Sequence, residues 1–257
     1  MNARYQDLAP RPRPIMALVL AGLVSSPALA GPPFVTDDPD PVELGHGEIN
    51  IAPIGTVGGN GAAGFSPFVD ANYGAAEGVQ LHAAFGIAFS ESDGTVSAGY
   101  GDTELGTKLR FFNFEEDGAR TEISTYPMVE LPTGDAARGL GAGHLQALLP
   151  LWIEHDWGDW TSYGGVRFEY NRHGEDRNSW LVGWVLLRKV TDDLQLGGEL
   201  YYQTATVFRS PDTTAFNLGG TWDLSETGHI LFSAGRGIAH ANETDRFSFY
   251  LGYQITW

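Results

Sequence analysis

The sequence contains no cysteine, which excludes disulfides, thiolate metal sites and thiol nucleophiles together. Basic residues are scarce: 15 Lys and Arg stand against 32 Asp and Glu, a net charge of −17. Such a chain repels a phosphate backbone, so nucleic acid is excluded as a partner. Charged residues are only 18% of the total, below the roughly 25% of an average soluble protein. Long hydrophobic runs are missing as well. Beyond residue 30 the longest, residues 180–187, is interrupted by Gly183 and falls far short of the ~20 residues that a transmembrane helix needs. What is present is apolar and aromatic material, 42% and 12% of residues, too much for a disordered chain. Glycine is also abundant, at 34 residues.

The first thirty residues read as an export signal. Arg4, Arg11 and Arg13 precede the apolar stretch 15–24, and Ala28-Leu29-Ala30 follows it as a small-residue cleavage site. Cleavage is expected before Gly31. The mature chain then carries 12 basic and 31 acidic residues.

Beyond Gly31 the recurring feature is alternation. In Val79-Gln80-Leu81-His82-Ala83-Ala84-Phe85-Gly86-Ile87-Ala88-Phe89, odd positions are apolar and even positions polar or small. A period of 2 is a strand with one greasy face. The same parity holds in 103–111, where Glu104, Lys108 and Arg110 share a face, and again in 194–202 and 247–257. Twelve such segments are expected, at 44–56, 65–73, 78–90, 98–113, 120–132, 142–155, 159–171, 178–189, 193–205, 213–222, 228–236 and 245–257. Most exceed the 5–6 residues usual in soluble sheets and match the 9–11 that a tilted strand needs to cross a bilayer. Short Gly- and Asp-rich turns near 74–77, 156–158, 191–192 and 223–227 alternate with longer polar loops at 57–64, 91–97, 133–141, 172–177, 206–212 and 237–244. Transmembrane barrels distribute periplasmic turns and outer loops in this way. A soluble sandwich or lipocalin-like barrel shares the alternation with its greasy face inward. Strand length, loop asymmetry and aromatics near strand ends favour the membrane version: an all-β, antiparallel, up-and-down transmembrane barrel of twelve strands in residues 44–257. Residues 31–43 form a periplasmic N-terminal segment.

The last residues, Tyr250 to Trp257, resemble the assembly signal that the barrel assembly machinery reads on bacterial outer-membrane barrels, with Gly252, Ile255 and Trp257 in its key positions. At the other end, Gly31-Pro32-Pro33-Phe34-Val35-Thr36-Asp37-Asp38-Pro39 and Gly45-His46-Gly47-Glu48 resemble the opening of the MetA-pathway of phenol degradation family of outer-membrane transporters. Tyr100-Gly101-Asp102-Thr103-Glu104-Leu105-Gly106 with Lys108, Glu130-Leu131-Pro132-Thr133-Gly134-Asp135 and Phe216-Asn217-Leu218-Gly219-Gly220 extend the likeness over the mature chain. The resemblance implies an outer-membrane channel for passive uptake of small, hydrophobic or aromatic solutes. It implies no catalytic residues.

By parity the inward face carries Asp70, His82, Asp102, Glu104, Lys108, Arg110, Glu122, Glu130, His144, Arg167, Glu169 and Glu199. These charges either line a water path or pair with one another and fill a narrow lumen. The acidic segment 36–39 is expected to serve as a linker or to tuck into the barrel as a plug facing Lys108 or Arg110. The glycine-rich stretch 133–143 is read as flexible outer surface rather than an inward constriction with Asp135 and Arg138. Ser233 with His229 and Asn217 offers the one nucleophilic constellation, and His144 near Glu130 and Asp135 the one cation site; neither is adopted. The expected partners are outer-membrane lipid and lipopolysaccharide, the assembly machinery and a small-molecule solute, with no metal or cofactor. A closed-lumen structural or interaction barrel is the competing reading, and an outer-membrane hydrolase the third.

Overall fold

The computed structural model describes residues 31–59, 61–92 and 94–257; the expected export signal lies outside them. Alternation becomes strand as read. In the first half these are β1 (Gly47–Val57), β2 (Gly61–Ala76), β3 (Val79–Ser92), β4 (Thr95–Tyr100), β5 (Thr103–Glu116), β6 (Ala119–Thr125) and β7 (Met128–Leu131). The second half holds β8 (Gln146–Trp157), β9 (Trp160–Tyr170), β10 (Ser179–Thr191), β11 (Leu194–Gln203), β12 (Thr213–Asp223), β13 (Gly228–Ala239) and β14 (Phe247–Thr256). A single 3-10 turn, Ala136–Arg138, is the only helical element among the described residues.

These fourteen strands make twelve spans. β4 and β5 are halves of one span, both paired to β3, with Ile87 opposite Tyr100 and Ala84 opposite Glu104. β6 and β7 are halves of another, both paired to β8 and interrupted at Tyr126 and Pro127, where proline has no N–H for the ladder. All pairings are antiparallel, and β1 closes on β14 from Glu48 opposite Thr256 to Val57 opposite Phe247. A closed barrel leaves no edge strand unpaired, the condition for spanning a bilayer with strands.

The side-chain faces decide between lipid and water outside. Leu81, Phe85, Ile87, Leu149, Leu151, Ile153, Val182, Trp184 and Leu186 point outward and are exposed, whereas Asn50, Asp70, Gln80, Lys108, Glu122, Arg167 and Glu199 point inward and are buried. A soluble barrel would have the opposite arrangement. Aromatic residues ring both ends of the belt: Tyr73, Phe111, Trp157, Trp222 and Tyr253 at one, Tyr170, Trp180, Tyr202 and Phe247 at the other. The protein is a closed β-barrel built to span a membrane, with lipid outside and polar side chains within.

Two connections differ from the sequence reading. Residues 61–64 and 91–92, expected in loops, continue β2 and β3, and 95–97, also expected in a loop, begins β4. The small side chains of Gly61, Ala62, Ala63 and Gly64 hide a strand that lacks large apolar residues. The two outer connections there are tight, so only the later outer loops are long.

Candidate functional site: the barrel lumen

Residues 31–43 include Pro32, Pro33, Pro39 and Pro41, which have no N–H to offer a strand ladder. The segment runs inside the barrel. Glu199, midway along β11, accepts hydrogen bonds from the backbone N–H groups of Val35 (3.1 Å) and Thr36 (2.5 Å) and from Asn217 Nδ2 (2.7 Å). Ser233 Oγ on β13 donates to Pro33 O at 2.5 Å. From β5, Lys108 Nζ donates to Asp38 O at 2.9 Å and lies 3.3 Å from both Asp37 Oδ1 and Asp38 Oδ1. Closer to the periplasmic end, Asp40 bridges Arg110 (3.1 Å) and Arg120 (3.2 Å), and Val42 N–H donates to Gln80 Oε1 at 2.8 Å. These contacts reach β3, β5, β6, β11 and β13, so the segment crosses the lumen.

Apolar packing adds to the polar contacts. Phe34 is buried among Tyr163, Val185 and Leu187, and Val35 packs on Trp152, Leu181, Tyr201 and Ala215. Burying one such large side chain contributes about 1.5–3 kcal/mol. Room is made by Gly183 on β10, where a methyl group would overlap Thr36 Oγ1. Burial pushes the Asp37 carboxyl up to about 7, against the lowering effect of the neighbouring Lys108 ammonium.

Most of the candidate lumen residues meet one another or this segment. His82 Nδ1 faces Asp70 Oδ1 at 3.1 Å and Asn72 Oδ1 at 2.9 Å, while Nε2 faces Glu104 Oε1 at 3.0 Å. Arg110 pairs with Glu122 at 2.6 Å. Glu130 stands opposite Glu104 on one side and Gln146 on the other. Glu169 accepts from Ser179 Oγ at 3.2 Å, and Arg167 is buried on the same strand. Arg120 was missed. It lies between Asp40, Glu122, Glu154 (3.3 Å) and Asp156 (3.0 Å). Arg120 shares the parity of Glu122, and Glu154 that of Gln146, so the alternation carried to the strand ends would have found both.

Several readings need correction. Asp102 does not stand open to solute: it is buried and accepts the backbone N–H groups of Gly134 (2.8 Å) and Ala142 (2.6 Å) in the long outer loop. His144 lies in that loop and not on a strand. Its neighbours are Asn171 (Oδ1 at 2.6 Å), His173 (ring centroids 4.7 Å apart) and Asp176 (3.9 Å), instead of Glu130 and Asp135. Among the described residues no group of three His, Asp or Glu side chains is placed to hold a metal. Ser233 and His229 do not form a relay, because Ser233 donates to Pro33 O and His229 Nδ1 meets Asp223 Oδ1 at 2.6 Å.

The glycine-rich stretch 133–143 is pinned inward, against the reading of it as flexible outer surface. Leu140 is 1% exposed and packs with Ile54, Phe65, Phe68, Ala88 and Tyr250, inward residues of β1, β2, β3 and β14. Arg138 donates to Ala98 O at 3.0 Å, and Thr133 Oγ1 to Gly101 O at 2.9 Å. Gly141 is required here, since any Cβ would overlap the Asp102 carboxylate. The outer end of the lumen is therefore narrowed, by the apolar Leu140 cluster on the side of β1 to β3 and by buried polar residues such as Gln146, Glu169 and Asn171 on that of β8 and β9. The periplasmic half holds a cavity of about 730 Å³ whose walls include Glu48, Asn72, His82, Tyr126, Thr221 and Gln254.

The model of the family described as "Putative MetA-pathway of phenol degradation" matches residues 90–255. The chain belongs to this phenol-degradation family. The COG4313 outer membrane channel from Pseudomonas putida F1 is 16% identical and superposes with a TM-score of 0.65 over 85% of this chain and 97% of that one. The KdgM porin is 11% identical, with a TM-score of 0.51 over 82% of this chain and 99% of that one. At these identities the likeness is one of fold. No curated protein matches the sequence.

In this member of the phenol-degradation family, the motifs that carry the sequence likeness meet in space. Asp102 of one motif holds Gly134 of another, and Lys108 holds the opening Asp37-Asp38.

Proposed function

We propose that this barrel is an outer-membrane channel for passive uptake of small solutes, uncharged and hydrophobic or aromatic ones above all. The observation that carries the reading is the cavity of about 730 Å³ lying against a plug held by non-covalent contacts alone. Carboxylates line the lumen in excess of its cations Lys108, Arg110, Arg120 and Arg167, which disfavours entry of aromatic acids. The family description supplies the aromatic class. The Ser233 and His229 contacts give no support to a hydrolase, so we read the protein as a channel and not an enzyme. Its partners on this reading are lipid along the apolar belt, lipopolysaccharide at the outer rim, and the assembly machinery at Gly252, Ile255 and Trp257. Ile255 pairs with Ile49, and Trp257 exchanges backbone hydrogen bonds with Gly47 at the closing seam.

Liposome swelling with a neutral phenol, an aromatic acid and a neutral sugar tests this. Swelling with the phenol ahead of the acid is expected, and no permeation by any solute rejects the channel. Deleting residues 32–42 is expected to raise single-channel conductance in planar bilayers several-fold. Unchanged conductance favours the competing closed-lumen reading, which the Leu140 cap supports.

A further inference from the structure

Residues 31–37 form a hook inside the lumen. Phe34 N–H donates to Gly31 O at 3.2 Å, and the turn lays Gly31 against the Asp37 carboxylate so closely that a Cβ on Gly31 would overlap Oδ1. Asp37 is 2% exposed. Its Oδ1 faces Lys108 Nζ at 3.3 Å, while Oδ2 is buried without a hydrogen-bond partner. Buried carboxylate oxygens are costly to leave unpaired. Lys108 cannot meet the whole demand, because the same ammonium also serves Asp38 Oδ1 and the carbonyls of Asp38 and Asp40. The charges facing this point are therefore Asp37, Asp38 and, from β2, Asp70, against Lys108 from β5.

We propose that the second cation is the amino terminus of the mature chain. Water hydrolyses the Ala30–Gly31 peptide bond in the export-site cleavage, leaving a carboxylate on Ala30 and an amine on Gly31 that takes up a proton. The resulting ammonium sits beside the Asp37 carboxylate, approached from its Oδ1 side, and shares its charge with Lys108. Removal of the leader thus creates the charge that fastens the plug, and the precursor, with a neutral amide at the same place, holds it less firmly. Glycine at position 31 serves both: it suits the cleavage site, and a Cβ there would overlap the Asp37 carboxylate unless that side chain moved. A carboxyl that burial raises to about 7 returns toward its ordinary range once this second cation is in place. None of this depends on which solute the barrel passes.

The test uses protein isolated from outer membranes after processing of its own leader. Mass spectrometry should give a chain that begins at Gly31; any other start overturns the proposal. After reductive methylation with labelled formaldehyde, which preserves the charge, the α-amino resonance is titrated by carbon-13 NMR. An ordinary α-amino group titrates near 7.7–8.0. The expected midpoint lies about one unit or more higher, a tenfold preference for the ammonium, and falls back in Asp37→Asn. Equal midpoints in the two proteins overturn the pairing. Should Asp37→Asn fail to assemble, a variant whose cleavage leaves one extra alanine before Gly31 moves the ammonium ~3.8 Å along the chain with Asp37 intact. It should lose the upward shift, and retention of the shift overturns the proposal. Because the readout is a proton equilibrium, it stands even if the channel reading fails.

Discussion

The two halves of the lumen are closed by different physics. On the outer side, a loop tethered at both ends inserts Leu140 into an apolar cluster of Ile54, Phe65, Phe68 and Tyr250, and Asp102 fixes its backbone. On the periplasmic side, a segment tethered only at Gly47 is held by Lys108, Arg110, Arg120 and Glu199. The first closure is short-range packing within a continuous wall. The second depends on charges that a solute, salt or a proton can compete for, on a chain free to swing from one end. The difference marks residues 31–43 as the removable element and the 132–145 loop as a fixed constriction.

Removing the charge should break the comparison most strongly. Lys108→Met takes its ammonium from the buried Asp37 and the part-exposed Asp38, and losing one partner of a buried pair costs about 3–5 kcal/mol. The expected result is single-channel conductance close to that of the 32–42 deletion, with the barrel itself still resisting heat denaturation on gels. Leu140→Ala attacks the other closure. Truncating a buried Leu costs about 2–5 kcal/mol, so the outer loop should become sensitive to protease added to whole cells. The N-terminal segment should stay seated. If Leu140→Ala also releases that segment, the two closures are one unit and the contrast between them fails.

The wall was legible in the sequence because a period of 2 survives any tertiary context: the inward parity of His82, Lys108 and Glu199 follows from counting along a strand. Closure was less legible. Asp102 shares the inward parity of β5, yet its partners Gly134 and Ala142 lie in a loop whose Leu140 enters an apolar pocket shared by β1, β2, β3 and β14, which no strand period announces. His144 departs from its expected strand for a related reason: 142–145 continues the alternation of β8, but the chain there belongs to the loop. For the N-terminal segment, the charge match to Lys108 and Arg110 was readable. Its apolar anchorage by Phe34 and Val35 was not, because that needs the facing walls of β8 to β12 already in place.

A smaller perturbation tests whether the plug is shaped to the wall as well as charged for it. Gly183 sits in the middle of β10, where a Cβ would overlap Thr36 Oγ1. In an otherwise regular strand a glycine weakens pairing and packs nothing, so its presence reports a close approach by another backbone or side chain. Gly183→Ala overpacks this contact without altering any charge, at about 1–3 kcal/mol. It should raise the time spent in the conducting state, though less than Lys108→Met does. The overlap is with the Thr36 hydroxyl, so Thr36→Ala in the Gly183→Ala background should restore much of the closure. Neighbouring residues of this kind couple by about 0.5–3 kcal/mol. Additive effects in the double mutant would mean that Gly183 serves the strand and not the plug. Coupling would show that the periplasmic closure, although held by charge, is fitted to a groove that only the absence of one methyl group leaves open.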